Sequence, residues 1–164
     1  MDDGVRFGEL LAYTEAETEK WYAWLREQPA EVLRVRIGEA TRERVGDLIG
    51  HIFAVELRYA QRLLGQRETS YEELEMGSLD ALWRIHADAR RTFRAYLDAM
   101  PAGEREREMI FMTRTLGELS ATAHKIVMHS FLHGIRHWAQ IATALRQAGY
   151  PQPWQHDWLM SEVV

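Results

Sequence analysis

Three of the chain's seven histidines stand four residues apart, at His129, His133 and His137. They lie in a segment, roughly Leu119 to Ala148, that holds no proline and a single interior glycine. Ile126, Ile141, Ala144 and Ala148 recur in it at helical spacing. Steps of three or four from Ile126 reach Ser130, His133, His137 and Ile141, so His133 and His137 fall on the line that faces a core. Residues at i and i+4 of a helix sit about 5–6 Å apart at Cβ, which lets two imidazoles reach one metal ion. Packed, hydrogen-bonded core histidines are the ordinary alternative. Two on one stripe each need a buried partner, and one metal meets both needs. The zincin pattern is absent, because Gly134 stands where that motif needs a glutamate base.

The 164-residue chain has no cysteine, so metal ligands must be nitrogen or oxygen donors and any sulfur nucleophile must come from a diffusible cofactor. Hydrophobic residues make up 46% and charged residues 27%, the balance of a globular protein long enough for one domain, taken as residues 1–164. The net charge of −5 carries no basic stripe, which argues against nucleic acid. No apolar run suits a bilayer, and Met1-Asp2-Asp3-Gly4 is the opposite of a basic leader; a cytoplasmic protein is expected.

Four long amphipathic stretches must position these groups. Helix one is expected from about Val5 to Gln28, with Phe7, Leu10, Leu11, Thr14, Thr18, Trp21 and Leu25 inward and Pro29 as its stop. Pro29 to Ala40 connects, with Val32, Leu33, Val35 and Ile37 as a short extended piece. Helix two is expected from Arg42 to Leu64, on the stripe Val45, Leu48, Ile52, Val55, Tyr59 and Leu63, capped by Gly65. His51 lies on its shoulder. Glu56, one turn on, is either a carboxylate supporting a metal site or a solvated or ion-paired residue, and for it alone the solvated or ion-paired reading is the better one. A capping box at Ser70-Tyr71-Glu72-Glu73 interrupts the next connection. Helix three runs from the N-cap Ser78 to Met100, with Leu82, Ile85, Ala89, Phe93, Tyr96 and Met100 inward and His86 structural or exposed. Pro101 to Ser120 is long enough to cross the bundle. Within it Met109-Ile110-Phe111-Met112 suits a short strand, and Gly117 turns the chain into helix four. After Gly149 the tail carries Trp154, Trp158 and Leu159, a candidate apolar lid. The expected fold is all-α: a four-helix bundle with a long crossover connection and a short C-terminal tail packed on it.

The pattern resembles the DinB family of metal-binding four-helix bundles. Leu48-Ile49-Gly50-His51 with Glu56 comes first. His129-x3-His133-x3-His137-x2-Gln140 and Leu145-Arg146-Gln147-Ala148-Gly149 follow. The resemblance spans essentially the whole chain. It implies a divalent metal, nickel or zinc before iron or manganese, on His51, His133 and His137. The family's closing motif usually reads His-His-Arg-Gly-Gln; here Arg136-His137-Trp138-Ala139-Gln140 keeps the ligand position and the glutamine. His129 matches a commonly occupied upstream position.

Three neutral imidazoles leave the metal's charge intact and at least one coordination position open, which suits catalysis. The family the chain resembles includes enzymes that use a low-molecular-weight thiol, such as mycothiol or bacillithiol, in isomerase or S-transferase reactions, which implies a metal-activated thiolate attacking a small electrophile. Arg136 and Gln140 are the candidate cofactor-binding residues, with Arg58 a second cation close in sequence. A metal-dependent hydrolase and a non-enzymatic, stress-related metal-binding dimer are the alternatives. The resemblance and the load of six tryptophans imply a homodimer. Protons should compete with the metal below about pH 6.5, the unperturbed histidine value.

Overall fold

The structure is a computed structural model that describes residues 6–38, 43–113 and 117–163. Four helices form an all-α bundle: α1 (Phe7–Arg26), α2 (Val45–Leu63), α3 (Leu79–Ala99) and α4 (Ala123–Gln147). A hairpin of β1 (Glu108–Thr113) and β2 (Gly117–Thr122) joins the last two. The expected helix starts at Val5 and Arg42 lie outside the described residues, as does Ala40 at the end of the first connection.

Each helix follows from its stripe. All seven inward residues expected of α1 are buried, and its two threonines satisfy their hydroxyls locally. Thr14 Oγ1 donates to Leu10 O at 2.8 Å and Thr18 Oγ1 to Thr14 O at 2.7 Å. On α2 the buried face is rotated from the expected line. Ile49, Phe53, Glu56 and Ala60 are buried, whereas Val55 and Tyr59 reach partly to solvent. Ser78 caps α3, its Oγ accepting from Ala81 N at 3.2 Å. Thr122 does the same for α4, accepting from Lys125 N at 3.2 Å. Helix four therefore starts four residues later than Leu119. Leu119 to Thr122 pair as strand with Glu108 to Phe111, and Gly117 supplies the turn geometry at φ +73°. The expected single strand is thus half of a hairpin. Among the described residues of the first connection only Val35 to Ile37 are paired, Val45 N donating to Val35 O at 2.9 Å, while Ala30–Arg34 wind into a 3₁₀ turn.

Cross-helix contacts set the topology. Tyr22 meets Asp80 at 3.0 Å and Thr14 meets Arg90 at 2.8 Å, so α1 and α3 are antiparallel. Phe53 packs on Trp83 at 5.1 Å and on His86 at 4.7 Å, and Glu56 pairs with Arg90 at 3.2 Å, so α2 and α3 are parallel. His51 faces His137 at 5.3 Å and Tyr59 faces His129 at 5.6 Å, so α2 and α4 are antiparallel. The order is up-down-down-up. Parallel α2 and α3 demand a return along α2, which rises about 28 Å over its length. Residues 64–78 make that return, tied by Arg58 to Thr69 O at 2.6 Å and laid over Gly50 by Met76. The crossover is therefore this connection; Pro101 to Ser120 stays at one end.

The core falls into two apolar clusters, one around Trp21, Phe53 and Leu145 and one around Phe7, Phe93 and Phe131. Between them runs a polar layer. Arg90 Nη1 donates to Thr14 Oγ1 at 2.8 Å and Nη2 lies 3.2 Å from Glu56 Oε2, with 4% and 2% of the two charged side chains exposed. Glu56 Oε1 also crowds Gly134: a Cβ there would stand 3.1 Å away. The tail docks on α1 through Trp154 and Trp158, but Leu159 is 90% exposed and takes no part in a lid. No helix of the described residues is long and apolar enough to cross a membrane.

Candidate metal centre

The antiparallel pairing of α2 and α4 brings His51 onto the two histidines of α4. His133 Nε2 lies 3.2 Å from His51 Nε2 and 3.1 Å from His137 Nε2. One ligand atom from each of the three falls within 4.8 Å of the others, so together they can hold a metal ion. Two zinc–nitrogen bonds of about 2.05 Å at a tetrahedral angle separate their nitrogens by about 3.3 Å. The observed spacing fits such a donor set.

The protonation states agree. Burial, then the neighbouring imidazoles, push His133 down to about 3. Burial followed by the His137 charge lowers His51. Burial lowers His137 too, against the opposing pull of its bond to Gln140. All three rings are therefore neutral at neutral pH, as metal binding requires. The Arg136 charge adds to the lowering at all three and at His129.

As a packed core residue His133 would be badly served. Its Nε2 is crowded by two other ring nitrogens, and its buried Nδ1 has no hydrogen-bond partner among the described residues. Such an orphan costs about 1–3 kcal/mol, and a cation shared by the three Nε2 atoms would relieve the crowding at Nε2.

Around this trio the other sequence candidates sort differently. Gln140 Oε1 lies 2.6 Å from His137 Nδ1 and so supports the site directly. His129 is exposed, its ring tilted 5.5 Å from that of His133 and edge-on to Tyr59 at 5.6 Å, beside the trio and outside it. Glu56 belongs to the Arg90 pair and bonds none of the imidazoles. Arg58 is bound to Glu68 at 2.7 Å and to Thr69 O, so of the two candidate arginines the exposed Arg136 is the one left to the site. His86 is buried against Phe53 and Trp83, remote from the trio, with burial and then Arg90 pushing it down to about 3. Glu43, off the expected stripe of helix two and in the structure just before α2, was not singled out by spacing. Its charge reaches both His51 and His137 and counteracts their lowering. The tail leaves the trio uncovered, because Trp154 and Trp158 pack on α1. His51 and His133 are accordingly part-exposed.

The chain matches no curated protein. The DinB family model matches residues 1–161 of the 164, from the start of the chain through α4 and most of the tail, so this chain belongs to the DinB family.

Proposed function

We propose that His51, His133 and His137 bind one divalent metal, nickel or zinc, and that the protein uses it as a thiol-dependent S-transferase or isomerase on a small electrophile. The observation that carries the metal is the approach of the His51 and His137 Nε2 atoms to His133 Nε2 at 3.2 and 3.1 Å. The thiol reading rests on the family, on the absence of cysteine and on the uncovered face of the trio.

Bound there, the metal would supply Lewis acidity, raising the ionised fraction of a thiol of pKa about 8.5 by roughly tenfold to thirtyfold at neutral pH. The chain's own groups do the rest. Gln140 holds His137 in one tautomer, and Arg136 offers a cation to an anionic thiol cofactor. In a transfer the cofactor sulfur bonds the electrophilic carbon, the leaving group departs with its electron pair, and the thiol proton goes to solvent. Most of the acceleration then comes from holding the electrophile beside the sulfur. A hydrolase differs only in the nucleophile, water in place of thiol.

Untagged protein purified away from metal columns should carry close to one metal per chain. His51→Ala, His133→Ala and His137→Ala should each lose it, while His156→Ala keeps it; an unchanged content removes that residue from the ligand set. Holo and metal-stripped protein are then compared with a panel of thiols and a chromogenic electrophile. Equal rates across all thiols would overturn the transferase reading and leave hydrolysis and metal storage. We also infer a homodimer, supported by the outward Ile110 and Met112 of β1, 72% and 67% exposed. Light scattering at the 19.2 kDa chain mass would exclude it.

A further inference from the structure

A cavity of about 320 Å³ lies on the side of α4 away from the histidines. At 100° per residue, Trp138, Ala139 and Ala142 stand about 140° to 240° round the helix from His133. Residues of α1 form the opposite wall and the returning tail forms the roof. The metal and this cavity are thus separated by the thickness of a helix.

Two features of the lining select a ligand. The first is aromatic: Tyr13, Trp138 and Trp154 border the space. Trp21 borders it too, but Trp138 and His156 stack on it at 4.8 and 5.2 Å, so its ring is already occupied. Aromatic faces carry negative potential and attract cations. The second is anionic. Glu17 is only 9% exposed and Asp157 stands at the edge. Burial pushes the Glu17 pKa up, but hydrogen bonds from His156, Lys20 and Trp154 prevail and hold it below the ordinary carboxylate value.

Those bonds also fix the carboxylate in place. Trp154 Nε1 and His156 Nδ1 reach Oε2 at 3.2 and 3.1 Å. Lys20 Nζ meets Oε1 at 2.8 Å, with 44% of its side chain in solvent, where water and salt screen its charge. The carboxylate therefore presents its field to the cavity without rearranging. Arg146 also lines the cavity, about 18 Å along the α4 axis from Gly134.

We propose that this cavity binds a small organic ammonium with an aromatic or branched apolar body. The rings and the Glu17 field take the charged nitrogen, and the apolar walls bury the body. An anion would meet two carboxylates, and an uncharged ligand would gain nothing from Glu17.

The test uses the full chain and phenethylamine, with phenethyl alcohol and 3-phenylpropionate as neutral and anionic counterparts, measured by calorimetry. The amine should bind saturably, at least about tenfold more tightly than the alcohol, with the anion weakest. Metal-stripped and metal-loaded protein should bind it equally, which separates this result from the fate of the thiol chemistry. Glu17→Gln should weaken the amine about tenfold and leave the alcohol unchanged. Because that change also loosens the tail, Ala139→Phe, at an exposed lining position, is the second variant and should abolish binding by filling the space. Absence of saturation, equal affinity for amine and alcohol, or full binding by Ala139→Phe would each overturn the proposal.

Discussion

Gln140 Oε1 lies 2.6 Å from His137 Nδ1, and this contact decides which ring nitrogen faces the other imidazoles. An amide oxygen only accepts, so Nδ1 carries the proton and Nε2 keeps its lone pair for the centre. Removing such an outer support typically costs about 10–100-fold in metal affinity. Gln140→Ala should show that loss in a chelator competition, whereas Gln140→Glu, which keeps an acceptor, should retain most of the affinity. Gln140 is exposed, so both variants should keep the wild-type melting temperature without metal. An unchanged affinity for Gln140→Ala would remove it from the site.

The metal-free protein should lose stability in mild acid. Burial first, with nearby positive charge second, holds His133 and His86 down to about 3, from 6.5 in the unfolded chain. Between those values the unfolded chain binds more protons than the folded one. Stability is therefore full above about pH 6.5 and falls as pH drops toward 3. Thermal melts in chelator from pH 7.5 to 4 should show a falling midpoint, with a shallower slope in His86→Leu. The same burial moves proton competition for metal below the unperturbed value of about 6.5. Occupancy at limiting metal should thus persist to lower pH than the sequence alone would suggest.

Among the described residues, Arg90 is the one cation placed on the buried Glu56. Arg90→Ala would strand a carboxylate of which 2% is exposed, a change that typically costs about 3–5 kcal/mol. Chemical denaturation should show a loss of that size. Replacing both partners with apolar residues, Glu56→Leu with Arg90→Met, should recover most of it. If Arg90→Ala costs under about 1 kcal/mol, the pair is not what holds this layer.

Gly134 and Gly50 are tight for different reasons. A Cβ at 134 would stand 3.1 Å from the Glu56 carboxylate, which Arg90 holds in place. Gly134→Ala should therefore cost about 1–3 kcal/mol and also weaken metal binding by shifting the adjacent His133. At Gly50 the 2.7 Å obstacle is Met76 Sδ, the end of a flexible side chain. Gly50→Ala should be milder, and Met76→Ala should relieve it. Melting temperatures of Gly134→Ala, Gly50→Ala and Gly50→Ala with Met76→Ala decide this, and equal losses at both glycines would contradict it.

Helical period and punctuation are local properties, and they carried much of the fold. Pro29 and Gly149 mark helix ends by backbone chemistry and Ser78 by its capping hydroxyl, and the α1 stripe is buried residue for residue. The His133–His137 pair was legible for the same reason, since i and i+4 share a helix face whatever surrounds it. Long-range partnership was not legible. Nothing near Glu56 in the chain announces Arg90, 34 positions on, because the parallel α2–α3 pairing that joins them is set by the path of residues 64–78. The hairpin shortened α4 because strand pairing with Glu108 to Phe111 outcompeted the helical tendency of Leu119 to Thr122. Proximity of His51 to α4, the exposure of Leu159 and the cavity beside Glu17 depend on how whole helices and the tail pack. Packing is a property of the assembled surfaces, and only the tertiary structure decided it.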